Sequence, residues 1–131
     1  MHQQIELWLT HQPYLTHLIA KLLAENFTVF LTADHGNVWA RGMGRPNEGV
    51  LVETKGQRAR LYTDPAFLGL ARQQFPEALE WPNLGLPAQL RVLLAPKLTA
   101  FLDVNTQAVC HGGIALEEVV VPFVQITQSP A

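Results

Sequence analysis

The run Phe27 to Ala33 constrains this chain more than any other segment. It reads Phe-Thr-Val-Phe-Leu-Thr-Ala, short, β-branched and almost continuously apolar. Such a run predicts a strand covered on both faces. Before it, Leu15, Leu18, Ile19, Leu22 and Leu23 recur at helical spacing behind Pro13. Proline suits the first helical position because its missing N–H had no partner there anyway. Helix, short turn and buried strand make half of a βαβ unit, so the expected class is α/β with a mostly parallel main sheet.

The strand gives way at once to Asp34-His35-Gly36-Asn37. A polar cluster directly after a buried strand is where open α/β sheets place their active sites. Within a strand, neighbouring side chains point to opposite faces, but at a strand end the chain turns and both can reach one ion. A carboxylate oxygen and an imidazole nitrogen are ordinary ligands of Zn²⁺ or Mn²⁺. Gly36 permits the turn. His111 has a similar setting, with an apolar strand before it and Gly112-Gly113 after it. On spacing alone a plainer reading stays open, in which Asp34 caps a loop and His35 is a hydrogen-bonded histidine.

Other elements follow from local signals. Ile5 to Leu9 reads as a short helical turn, and Glu25-Asn26 ends the first helix. Residues 41 to 48, with Gly42, Gly44 and Pro46, read as a loop. Val50–Glu53 and Arg58–Tyr62 are expected to form a hairpin around Lys55-Gly56. Asp64-Pro65 should cap and start a helix to about Phe75. Pro76 to Pro87 reads as irregular, Pro87–Leu94 as a short helix, and Ala100–Asp103 with Gln107–Cys110 as a second hairpin. Ala115–Glu118 is expected to be a helical turn, Val119–Ile126 a last strand, and 127–131 a flexible tail.

Composition narrows the function. With 131 residues, 48% hydrophobic and 15% charged, the chain is expected to be one globular domain over 1–131. A net charge of −2 with scattered cations argues against nucleic acid as a direct partner. No apolar stretch is long enough to span a bilayer, so no membrane is expected. One cysteine, Cys110, cannot form an internal disulfide, which fits a reducing, cytoplasmic setting. Cys110 is read as a core residue, and Trp39 and Trp81 as packing residues. Glu117 and Glu118 are expected on a surface turn, with support of His111 as the alternative.

The stretch Phe30 to Asn37 resembles the second metal-binding motif of the alkaline phosphatase superfamily. Within that superfamily, Gly44-Arg45-Pro46-Asn47-Glu48-Gly49-Val50-Leu51-Val52-Glu53-Thr54, Arg58–Tyr62, Gly85-Leu86-Pro87 and Cys110 to Val124 resemble the PglZ domain of bacterial phage-defence systems. The resemblance runs from about Trp8 to Ile126, in the family's order, and implies a partial alkaline-phosphatase-like core. It implies that Asp34 and His35 hold the ion nearest the nucleophile and that His111 holds a second ion. The ion would be zinc or manganese, bound weakly by this chain alone. Two such ions clamp the attacking and leaving oxygens of a phosphoryl transfer. Read from the residues themselves, Asn37 either orients the Asp-His turn or touches substrate, and Arg41 and Arg45 are either substrate contacts, because a guanidinium holds a phosphate bidentately, or solvated loop arginines.

The family also uses a Ser or Thr nucleophile, with further Asp and His ligands, ahead of the Asp-His-Gly motif, and the chain is expected to lack that segment and to be inactive alone as a phosphatase or phosphodiesterase. The alternative is a non-catalytic protein-interaction module on the same scaffold. Either way the expected partner is the missing N-terminal half of the domain, another protein or a second copy of this chain, because an unpaired apolar sheet edge favours association.

Overall fold

A computed structural model describes residues 6–7, 10–47 and 53–128, with β3 described by its backbone alone. The chain divides into two compact units, one of residues 1–33 with 122–131 and one of residues 34–121. The class is mixed α/β, with its strands in small sheets.

In the first unit, helix α1 spans Tyr14–Ala24. Its stop is local: Asn26 turns left-handed at φ 63, and the amides of Asn26 and Phe27 reach back to Leu23 and Leu22. Those paired bonds satisfy carbonyls that the helix end leaves open. Strand β1, Val29–Thr32, pairs antiparallel with β9, Phe123–Ile126, in the register Val29↔Ile126 to Thr32↔Phe123. Thr32 Oγ1 donates to the Pro122 carbonyl at 2.8 Å, tying the end of β1 to the start of β9. Phe30 and Phe123 stack with centroids 5.5 Å apart.

This pair overturns the expectation of a parallel strand covered on both faces. Phe30 is 55% exposed, Leu31 is exposed as well, and among the described strands β1 has one antiparallel neighbour. An apolar run shows that a segment can be buried, but burial also needs layers to cover it. Glu6, Leu7, Thr10 and His11 are helical, and the rest of the expected turn at Ile5–Leu9 lies outside the described residues, as does most of the tail beyond Gln128. Gln128 Nε2 donates to the Leu23 carbonyl.

The second unit holds two sheets. Strand β2, Val38–Gly42, lies between β7, Thr99–Ala100, and β8, Gln107–Cys110, parallel to the first and antiparallel to the second. Its residues alternate buried and exposed, as a half-covered strand should. Val38 and Ala40 pack with Ala100, Leu102 and Cys110. The second sheet is antiparallel, in the order β3 (Glu53–Lys55), β4 (Ala59–Tyr62), β6 (Arg91–Leu94), β5 (Leu79–Glu80). Helix α2, Pro65–Gln74, packs Leu68 and Ala71 into a cluster with Tyr62, Phe75, Leu93, Ala95 and Phe101. Phe75 and Phe101 meet edge to face. Helix α3, Leu116–Val119, is a single turn.

Several local readings hold. The β3–β4 hairpin turns at Gly56, although Val50–Val52 lie outside the described residues. Asp64 Oδ1 accepts from the Ala66 amide and caps α2 behind Pro65.

Others are corrected. The main sheets are not mostly parallel: among the described strands only β2 and β7 pair that way. Residues 41 and 42 close β2 rather than open a loop. The expected helix at 87–94 ends instead in β6, whose Leu93 and Leu94 are both buried because the strand is covered on both faces. A short apolar run looks alike in a buried helix and a buried strand. The expected second hairpin does not pair with itself, since β7 and β8 flank β2 and bond to it instead. The last strand is confined to β9; Val119 closes α3 and residues 120–122 are irregular. Trp39 is 61% exposed, donating Nε1 to Gln107 Oε1, so it does not fill the core. Glu118 is buried rather than on the surface.

Candidate metal centre

Asp34, His35 and Gly36 form the turn that leads into β2. At its base the Gly36 amide donates to the Glu118 carbonyl at 2.8 Å, and a Cβ on residue 36 would stand 1.9 Å from the Glu117 carbonyl oxygen. Only glycine lets the turn lie this close to α3. Asp34 is 89% exposed at its side chain, and Oδ1 accepts the His35 amide at 3.0 Å.

His35 Nδ1 lies 2.8 Å from the Gly36 carbonyl oxygen. A carbonyl can only accept, so Nδ1 carries the proton and the neutral ring keeps its lone pair on Nε2. Metal-binding histidines are commonly fixed in this way by an oxygen on the far nitrogen. The Nε2 so freed is 3.7 Å from Asp34 Oδ2.

His111 follows β8 directly. The pairing Val38↔Cys110 brings the start of β2 beside the end of β8. On its other side the His111 amide donates to the Gly56 carbonyl, in a bridge with Gln57. These strands place the His35 and His111 rings 4.2 Å apart, with planes only 12° from parallel. The structure thus brings all three sequence-identified ligand candidates to one end of β2.

The donor set suits divalent metal ions in one specific way. An ion sits in the plane of the imidazole that binds it, along the nitrogen lone pair. Planes this close to parallel do not meet near the rings, so the two histidines face two separate positions. Among the described residues no group of three or more His, Cys, Asp or Glu side chains converges on one point.

The expected substrate contacts separate. Asn37 is exposed beside the turn. Arg41 stands near the other end of β2, roughly 10 Å along the strand from Val38 at about 3.3 Å per residue. Arg41 Nη2 donates to Asn105 Oδ1 at 2.7 Å, and Arg45 Nε donates to Asp103 Oδ1 at 2.9 Å. Both arginines therefore brace the 103–105 turn.

Sequence reasoning missed Arg58. Its side chain and that of Glu118 are each 2% exposed, joined by Nε to Oε1 at 3.0 Å and Nη2 to Oε2 at 2.9 Å. Arg58 Nη1 also donates to the Thr99 carbonyl. Glu118 Oε1 accepts the Gly113 amide and Oε2 the Ala115 amide. Burial by itself would push the Glu118 carboxyl up. The Arg58 hydrogen bonds, the two amides and the guanidinium charge outweigh it and hold the group below the usual carboxylate range. Burial pushes the Cys110 thiol up, partly offset by the Arg58 charge, so this cysteine behaves as a core residue. The sequence signal was faint: Glu117 and Glu118 are adjacent, and nothing local says which one faces inward.

Among the described residues no helix is long and apolar enough to cross a membrane. Compared with known families, residues 2–126 match the one described as BREX system PglZ alkaline phosphatase-like domain. No curated protein matches significantly.

Proposed function

This chain belongs to the PglZ family of BREX system alkaline phosphatase-like domains, and from that premise we propose that it carries the metal-holding part of a phosphatase- or phosphodiesterase-like site serving phage defence. Asp34 and His35 hold one divalent ion, zinc or manganese, and His111 holds a second. The observation that carries this reading is the near-parallel stack of the two histidine rings at 4.2 Å. Two-metal hydrolase sites space their ions about 3.5–4 Å apart, close to the separation of these rings. The lone pair left on His35 Nε2 beside Asp34 Oδ2 supports the same assignment.

Bound ions would supply charge stabilisation for the oxygens of a transferring phosphoryl group. This chain's own contribution is to fix the ligand tautomer at His35, to hold the rings apart at a set distance and to offer Asn37 to the substrate. Arg41 and Arg45 act at one remove, by bracing the 103–105 turn. Three donors shared by two ions leave each coordination shell open. The same reading therefore expects weak metal binding by these three residues, with coordination positions left open on each ion.

The test is calorimetric titration of Zn²⁺ and Mn²⁺ into the chain, into Asp34→Ala and into His111→Ala. Saturable binding, with each substitution removing a different share of the sites, is the expected result. Binding that both variants retain in full would sink the reading and move the interaction-module alternative into its place.

A further inference from the structure

The buried Arg58–Glu118 pair has no role in the proposed function, yet the turn after His35 and the loop after His111 are each hydrogen-bonded to Glu118. We propose that Arg58 and Glu118 are positioning residues that set the spacing of His35 and His111. This inference rests on the reading of those histidines as metal ligands.

The connections run to both rings. On the His111 side, the Glu118 carboxylate accepts the amides of Gly113 and Ala115, so it shapes the loop that leaves His111. Arg58 follows Gly56 and Gln57, the residues bonded to and bridged with His111 on its other edge. His111 is thus held between two segments that the ion pair joins. On the His35 side, the Glu118 carbonyl accepts the amide of Gly36. Gly36 in turn accepts the Nδ1 proton of His35. A single residue is therefore one hydrogen bond from the turn after His35 and one from the loop after His111.

Packing closes around the pair as well. A Cβ on Gly113 would stand 2.6 Å from Glu118 Oε2 and 2.7 Å from Arg58 Nη2. The His-Gly-Gly sequence is thus explained at its third position by the space the guanidinium–carboxylate pair needs. A stability argument alone does not account for the charges. Replacing a buried ion pair with apolar side chains of similar volume is often neutral or stabilising, because desolvation offsets the attraction. What apolar side chains cannot do is accept two amides and a guanidinium at once. Buried pairs that specify geometry rather than add stability are one attested use of such charges.

That difference makes the proposal testable with the whole chain. Arg58→Met/Glu118→Leu removes the charges and keeps the volume. Three quantities are read: the melting temperature, the nuclear Overhauser contact between the His35 and His111 ring protons in metal-free protein, and Zn²⁺ affinity. The double variant is expected to melt near or above the unaltered chain, to lose the ring-to-ring contact and to bind Zn²⁺ roughly 10–100-fold more weakly, the range seen when partners of metal ligands are removed. A folded double variant that keeps the ring contact overturns the inference.

If the double variant does not fold, Glu118→Gln decides, since it keeps the volume and one acceptor oxygen. Weakening of the ring contact in folded Glu118→Gln supports positioning, and full retention refutes it. An unfolded Glu118→Gln shows that the pair is needed for folding itself, and the inference falls. The ring contact needs no metal. An unaltered chain that shows the contact but binds no Zn²⁺ would end the metal reading and leave the placement of the rings to be judged on the contact alone. Absence of the contact in the unaltered chain overturns the positioning role.

Discussion

The two units of this molecule use apolar residues in opposite ways. In the first, α1 buries none of its residues fully, and Phe27, Phe30, Leu31, Phe123 and Val124 are all exposed. Every buried residue among those described lies in the second unit, from Val38 to Glu118. Yet the first unit holds the apolar run Phe27–Ala33 that predicts a covered strand, and the second holds the buried charges. The contrast teaches that hydrophobicity marks a segment's capacity for burial, whereas the layers that fold over it decide whether that capacity is used. A two-stranded ribbon, the sheet described in this unit, has too few layers to enclose both faces of a strand.

The comparison is sharpest at Glu118. Truncation to Ala strips a buried guanidinium of its partner and leaves two amides without an acceptor. It is expected to lower stability by about 3–5 kcal/mol in a urea titration, the range for breaking a buried pair from one side. A loss below about 1 kcal/mol would show that water reaches Arg58. The pH dependence follows from the same group. Its folded-state pKa is depressed, so the folded chain binds fewer protons than the unfolded chain just below the ordinary carboxylate value. Stability from this source is complete above that value, about 4.3, and disappears as pH falls towards the lowered one. Unfolding free energies measured between pH 6 and pH 3 should therefore decline, and Glu118→Gln should flatten the acid limb.

Next in size is Leu93→Ala. Leu93 is fully buried between β4 and β5 against the Phe101 cluster, and its loss should lower stability by about 2–5 kcal/mol by the same titration. The smallest effect belongs to the first unit. Phe30→Ala removes a half-exposed ring whose described aromatic partner is Phe123, a pair worth about 0.5–1.5 kcal/mol beyond its buried area. If Phe30→Ala proved as damaging as Leu93→Ala, the contrast between the units would break, and β1 would have to be covered in solution. Sedimentation at rising concentration would then show whether a second copy covers it.

Local signals proved the reliable part of the sequence. Pro13, the Asp64-Pro65 cap and Gly56 act within a few residues of themselves, and α1, α2 and the β3–β4 hairpin lie where those signals put them. The misplaced elements share one feature. Residues 41–42 and 91–94 take their structure from partners far along the chain, and Gln107–Cys110, a strand where expected, pairs with β2 rather than with residues 100–103. The site divides in the same way. Asp34 and His35 are neighbours in sequence, so their shared turn was legible, and the family resemblance added His111.

What the sequence determined by itself was the family, the ligand candidates and every element whose cause is short-ranged: helix caps, a tight turn, glycines beside the histidines. Tertiary structure alone decided the antiparallel pairing of β1 with β9, the 4.2 Å stack of His35 on His111, and the choice of Glu118 over Glu117 as the buried partner of Arg58. The physical reason is range. A cap or a turn is a contest between neighbouring atoms, already present in the unfolded chain. A buried ion pair or a ring stack exists only after distant strands have aligned, and its energy depends on the water that their alignment expels.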